Sequence, residues 1–306
     1  MITYYFRSVK EETLQVCKEL RPGTWVHIED PSNEELDTAA KELGLERDLL
    51  QDAVDQYEVP RFESEEGVTY FFTRFPHRNN EELGTATLLI AVTPTAVVTV
   101  AQQHPSFINR YIDNKAALFT TQRTKLFLLL VEAINQRYRA NLISIRREVQ
   151  KSKVNLRQIR NRDIVRLVTL ESTLNEFISA LVPTSYAIRT ILSGTHLQLY
   201  EEDRDMVEDI QLENQQQVEA ATTNLKTIQN IRSAYTAIVT NNLNSVIKLL
   251  TSLTIILTIP TIIGSLFGMN VPVPFADSPH AFFGIALGAA AAMAIAALVF
   301  TRRDWM

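Results

Sequence analysis

The chain has 306 residues, 46% of them hydrophobic and 21% charged, with a formal net charge of −5. That length holds one large or two modest domains with a packed core, and the single Cys17 excludes an intrachain disulfide and fits a reducing compartment. A mean hydropathy of −0.03 averages two unlike parts, because nearly all charges precede Leu249 and the last quarter is almost free of them.

Residues 1–120 read as a cytoplasmic α/β domain. Met1 to Glu12 lacks the apolar core of a secretory signal. Thr24–Ile28, Val68–Phe75 and Thr87–Val92 have strand character, and Thr95–Val100 is β-branched and apolar. Between them, Pro31-Ser32-Asn33 ahead of Glu34 and Glu35 marks a helix start with Ser32 as N-cap.

Residues 121–200 read as a cytoplasmic helical region. From Thr121 on, Pro183 and Gly194 are the only proline and glycine before Pro260, so long helices are expected to break near those two. A basic stretch, Arg137 to Arg162, contains Glu148 as its one acid. No nucleic-acid-binding motif accompanies it, so it is read as a solvated or internally paired face and not as a nucleic-acid contact. Its natural counterpart is the acidic stretch Glu201 to Glu213, broken only by Arg204.

Residues 201–270 read as one stalk helix that continues into a first membrane span. A helix of about 65 residues is roughly 100 Å long, more than one domain can bury, so partner helices from other copies are expected. No charge lies between Lys248 and Asp277 or within Ala281–Thr301. A hydrocarbon slab of about 30 Å needs roughly 20 apolar residues, so both runs are long enough to cross it. Residues 271–280 form the outer loop, 281–301 the second span and 302–306 a basic tail. Lys248, Arg302 and Arg303 flank the spans and the loop carries no Lys or Arg, which puts both termini in the cytoplasm of a multi-pass cell-membrane protein.

Within the first span, Asn244, Thr251, Thr258 and Ser265 recur at seven-residue spacing, interleaved with Ile247, Thr254, Thr261 and Gly268. In water such a seam is apolar. Here most of it is hydroxyl, amide or glycine, on a helix whose other faces are Leu and Ile. Polar groups avoid lipid, so copies assembled about an axis would line a pore with this seam. A competing explanation is that the hydroxyls only bond back to carbonyls of their own helix. Uncharged oxygen rings suit a hydrated Mg2+, which sheds water reluctantly.

The helix ends in Phe267-Gly268-Met269-Asn270, with Asn241-Asn242-Leu243-Asn244 at its inner end and Pro260-Thr261 between. This segment, followed by a short proline-containing loop, a second span and a basic tail, resembles the CorA family of magnesium and cobalt transporters with its Gly-Met-Asn signature. The likeness is tight from Glu208 to Met306 and looser before that. It implies a CorA-like funnel of α+β domain, stalk helices and two C-terminal transmembrane helices, assembled as a homopentamer. It implies a pore mouth where Asn270 holds hydrated cation, Gly268 offers its carbonyl and Met269 fixes the turn, with Asn244 and Thr261 lining the pore. It also implies Mg2+ as both substrate and regulatory ligand, and Asp209 as a regulatory acid on the stalk, with Asp205, Glu208 and Glu213 nearby. Other cofactors are not expected. The chain departs from the family pattern in Phe267 for the usual Tyr and in a loop whose single acid is Asp277. Thr258 is polar, which leaves Ile247 and Leu250 as hydrophobic constriction candidates.

Gly284, Gly288, Ala292 and Ala296 form a small-residue face suited to helix packing. The five histidines, His27, His77, His104, His196 and His280, show no metal-ligand spacing. No phosphate-binding loop or catalytic constellation is present, so an enzyme is not expected. The alternatives are zinc transport by a relative of the same superfamily, where another residue is expected in place of Met269, and a membrane-anchored coiled-coil scaffold, whose seam should be apolar.

Overall fold

A computed structural model describes residues 1–79, 82–154, 160–193, 199–271, 279–303 and 305. It divides into two compact units, Met1–Ile231 and Arg232–Met306. The first unit holds strands β1 (Ile2–Phe6), β2 (Gln15–Cys17) and β3 (Thr24–Glu29), helices α1 (Asn33–Leu43) and α2 (Arg47–Asp52), then β4 (Arg61–Glu65), β5 (Val68–Asn79), β6 (Glu82–Val92) and β7 (Ala96–Ala101). Among the described residues these strands form one seven-stranded sheet in the order β2-β1-β3-β7-β6-β5-β4, antiparallel except for the central β3 and β7, which run parallel.

Both faces of the sheet are covered, so its central strands are buried, mostly with apolar side chains, on both faces and not only at alternate positions. Val26, Ile28, Tyr70, Phe72, Leu89, Val98 and Val100 pack with Leu36, Ala39 and Leu50 of α1 and α2. On the opposite face Trp25, Phe71, Phe75, Leu88 and Val97 meet Phe107, Ile108 and Tyr111 and two long helices, α4 (Arg123–Val154) and α5 (Asn161–Leu192). Phe107 and Ile108 belong to a short 3-10 turn, and Tyr111 to α3 (Asn109–Ile112). The buried Tyr138 hydroxyl donates to the Arg74 carbonyl at 2.9 Å, tying α4 to β5, and burial pushes that phenol well above its ordinary pKa. His27 is also buried, which pushes its imidazole down to about 4 against the attraction of Glu29.

The helix start at Ser32 is as the sequence indicates. Ser32 Oγ accepts from Glu35 N at 3.2 Å and the Glu35 carboxylate accepts from Ser32 N at 3.0 Å, a reciprocal capping box. Replacing Ser32 by alanine should cost α1 about 1 kcal/mol, read as roughly fivefold faster amide exchange across Asn33–Leu43. Unchanged exchange there would remove the cap from the account.

The expected break at Pro183 is not found. Pro183 lies inside α5, whose Phe177, Ala180, Leu181, Thr184, Ala187 and Ile188 are buried on the sheet side. Packing of that face outweighs the loss of one backbone bond at the proline. Thr184 Oγ1 also donates to the Ala180 carbonyl at 2.8 Å within the same turn. The division between α4 and α5 falls instead after Val154, where neither glycine nor proline marks it. The other expected break agrees better, since α5 closes at Leu192, although Gly194 itself lies outside the described residues.

Helix α6 runs from Glu201 to Phe267 and contributes to both units. In the first unit its Val207, Ile210, Ala221, Ile228 and Ile231 are buried. Asn135 of α4 donates to the Ile210 carbonyl at 3.1 Å, and Gln217 donates to the Asn135 carbonyl at 2.9 Å. The second unit contains the rest of α6 and α7 (Ala281–Arg302), both long and apolar enough to cross a membrane.

Candidate pore and regulatory acids

The apolar window of each spanning helix is only 6% buried within the chain. Leu243, Val246, Leu249, Leu253, Leu257 and Ile262 are exposed on α6, as are Phe282, Phe283 and Leu287 on α7. An apolar surface of that extent is covered by lipid, by other copies of the chain, or by both. On α7 a Cβ added at Gly284 or Gly288 would stand in open space, so the small-residue face is uncovered within one chain at its glycine end, while Ala292 and Ala296 are half-buried.

Asn244, Ile247, Thr251, Thr254, Thr258, Thr261 and Ser265 all lie on α6 with exposed side chains. Heptad spacing on a helix of 3.6 residues per turn keeps them on one slowly drifting stripe. Thr254 Oγ1 donates to the Leu250 carbonyl at 2.8 Å, Thr258 to Thr254 at 2.7 Å and Thr261 to Leu257 at 3.1 Å. Back-bonding is therefore present, but it does not compete with a pore. A hydroxyl has one proton and two lone pairs, so a proton spent on its own helix leaves an acceptor facing outward. Water bound to a divalent cation presents its protons outward and needs such acceptors. Pro260 lies inside the helix and has no N–H for the Ile256 carbonyl, which adds another acceptor at mid-span.

The Gly-Met-Asn segment stands immediately past the end of α6. Gly268 N donates to the Gly264 carbonyl at 3.0 Å, and a Cβ on Gly268 would meet that same oxygen at 3.3 Å, so a side chain would crowd this closing turn. Met269 and Asn270 are exposed. A helix C-terminus carries unpaired carbonyls and the negative end of the macrodipole, which favours a cation there before any side chain is counted. Of the loop between α6 and α7, residues 272–278 lie outside the described residues, Asp277 among them.

The four stalk acids occupy the first unit. Asp205, Glu208 and Asp209 are exposed and Glu213 is half-buried. Asp209 and Glu213 line an open groove of about 420 Å³ between α4 and α6, shared with Arg139 and Arg146. Arg139 stands 3.5 Å from Glu213, and among the described residues this is the one ion pair joining the basic and acidic stretches. Glu148, the lone acid of the basic stretch, pairs instead with Arg166 of α5. Among the described residues Asp209 makes no ion pair, whereas Glu213 has Arg139, a distinction no spacing in the sequence reveals.

Comparisons with known proteins agree with this architecture. A family model described as CorA-like Mg2+ transporter protein matches residues 23–303. The cobalt/magnesium transport protein CorA of Methanocaldococcus jannaschii is 24% identical over 290 residues, covering 92% of this chain and 91% of the relative. The complete structure of the magnesium transporter CorA from Methanocaldococcus jannaschii superposes with a TM-score of 0.88 at 20% identity, covering 100% of this chain and 99% of that one. The cytoplasmic domain of ZntB from Vibrio parahaemolyticus has a TM-score of 0.62 at 12% identity, covering 77% of this chain and 96% of that one.

Proposed function

The chain belongs to the CorA-like Mg2+ transporter family, and from that premise we propose that it forms a homopentameric channel conducting hydrated Mg2+, with Co2+ as a second permeant ion, into the cytosol. The observation that carries this reading is the stripe of outward-facing oxygens from Asn244 to Ser265, leading to a helix C-terminus capped by Gly268, Met269 and Asn270. Five copies around an axis convert each position into a ring of acceptors for the ion's water shell. Such rings bind without stripping water, which for Mg2+ is the costly step. Ile247 and Leu250 supply the apolar collar that closes the path by excluding water.

Both termini lie in the cytoplasm in this reading, with Lys248, Arg302 and Arg303 on the inner side. A divalent ion then gains about 4.6 kcal/mol per 100 mV on moving inward, twice the roughly 2.3 of a unit charge, so no nucleotide is needed. Internal Mg2+ bound among Asp205, Glu208, Asp209 and Glu213 of neighbouring stalks relieves their mutual repulsion and holds the channel shut.

The test of substrate is competition in proteoliposomes. Mg2+ influx should exceed Zn2+ influx at equal concentration and be reduced by Co2+. Zn2+ influx without Mg2+ influx would replace this reading by zinc transport, and neither would leave the coiled-coil scaffold.

A further inference from the structure

The carboxyl ends of the two parallel central strands bring His104 beside His27 and Glu29, from which it is far in the chain. His27 and Glu29 end β3 on the face that carries Trp25, and His104 follows β7 on the way to the buried Phe107. One ligand atom from each of His27, Glu29 and His104 lies within 4.8 Å of the others. His104 Nδ1 is 2.7 Å and His27 Nε2 3.4 Å from Glu29 Oε2.

Hydrogen-bond accounting shows what these atoms present to one another. The Thr99 hydroxyl accepts from Trp25 Nε1 at 2.9 Å and has the Val26 carbonyl at 3.4 Å for its own proton. Its remaining lone pair can take the proton of His27 Nδ1, 2.9 Å away, in the tautomer that leaves Nε2 free for a ligand. In that tautomer His27 Nε2, on a side chain only 5% exposed, presents a lone pair 3.4 Å from the carboxylate it faces. At His104, Nδ1 donates to Glu29 Oε2 at 2.7 Å and Nε2 faces Asn109 Oδ1 at 3.0 Å, so a metal taking Nδ1 would leave the ring proton on Nε2, where Asn109 Oδ1 accepts it. Two imidazole nitrogens and a carboxylate converge, and each imidazole has an oxygen behind its other nitrogen, the usual arrangement behind metal-bound histidine.

We propose that His27 Nε2, Glu29 and His104 Nδ1 form a cytosolic binding site for a borderline transition cation of the Zn2+, Co2+ or Ni2+ class, distinct from the Mg2+ path. Two nitrogens and one carboxylate suit these ions, whereas Mg2+ takes oxygen ligands. Ligand atoms around a four-coordinate ion at about 2.0–2.1 Å stand roughly 3.3 Å apart. The His27–Glu29 separation of 3.4 Å already matches. His104, 42% exposed and outside the strands and 2.7 Å from Glu29, would open by roughly 0.6 Å to match. The fourth position is left to water. Bound metal would pin the His104 segment to the end of β3, joining the two strands across the sheet centre.

Co2+ is the direct probe, because nitrogen ligation in a four-coordinate site gives strong visible absorption that hydrated Co2+ and the oxygen-lined pore do not. Full-length protein without a histidine tag, held in detergent with millimolar Mg2+, should develop that absorption up to one equivalent of Co2+ per chain and lose it on adding Zn2+. His104→Ala, at an exposed position, should weaken binding by at least roughly tenfold while leaving the oligomer's elution unchanged. Glu29→Gln should do likewise if His27→Gln disturbs folding. No stoichiometric absorption, absorption abolished by Mg2+, or equal binding by His104→Ala would each overturn the site.

Discussion

Replacing Asn270 by alanine should lower potential-driven Mg2+ influx by at least about tenfold with the oligomer intact. Each copy loses one amide that accepts from, and orients, the water shell of the ion at the pore mouth. A net hydrogen bond is worth about 0.5–1.5 kcal/mol, and only two or three lost together exceed the roughly 1.4 kcal/mol that corresponds to a factor of ten. The helix C-terminus behind it is untouched, because Gly268 N still closes on Gly264 at 3.0 Å and the carbonyl end of the dipole remains. Some residual cation binding should therefore persist. Asn270→Asp separates charge from hydration: a carboxylate ring should hold Mg2+ more tightly and slow its passage, since conduction needs sites weak enough to leave. Flux through Asn270→Ala equal to wild type would move selectivity down the pore to the threonine rings.

Neutralising the stalk acids should act on closure and not on conduction. The double replacement Asp209→Asn with Glu213→Gln is expected to raise the internal Mg2+ giving half-inhibition by about tenfold or more, matching the loss of roughly 1.4 kcal/mol of binding. The two positions are not equivalent. Glu213 already has Arg139 at 3.5 Å, whereas Asp209 is exposed with no such partner among the described residues. Asp209→Asn alone should carry most of the effect. Arg139→Gln, by releasing Glu213, should shift half-inhibition to lower Mg2+. Flux recorded against a stepped internal Mg2+ concentration measures all of these. Unchanged half-inhibition in the double variant would end the sensing role.

The parts of the molecule legible in its sequence are those where one physical demand acts on consecutive residues. A hydrocarbon slab tolerates no charge, so the two spans appear as charge-free runs; α6 begins at Glu201 and closes at Phe267, short of the 270 read from the sequence. Strands β5, β6 and β7 are legible for the same reason, being buried on both faces. Ser32 is legible because a cap needs particular atoms at particular positions. The sheet's rim is not. β2 has three residues, Gln15–Cys17, and β4 is Arg61–Glu65 with two acids, because edge strands carry charge and face solvent. Pro183 misleads because its cost is local while the packing that keeps α5 continuous comes from residues far along the chain. In the proposed pore, residue type and spacing are visible, but the direction in which each threonine spends its proton is not. The ion pair from Arg139 to Glu213 and the grouping of His27 with His104 depend on contacts between elements, and no pattern along the chain encodes them.

The central claim is that this chain makes a passive, voltage-driven Mg2+ pathway. The direct measurement is Mg2+ influx into proteoliposomes holding the purified full-length protein, without nucleotide, at a series of imposed inside-negative potentials. The account predicts uptake that grows with each step, stops when the potential is reversed against an equal concentration, and is lost in Asn270→Ala. A well-formed oligomer that passes no Mg2+, or passes it at a rate indifferent to the potential, would contradict it.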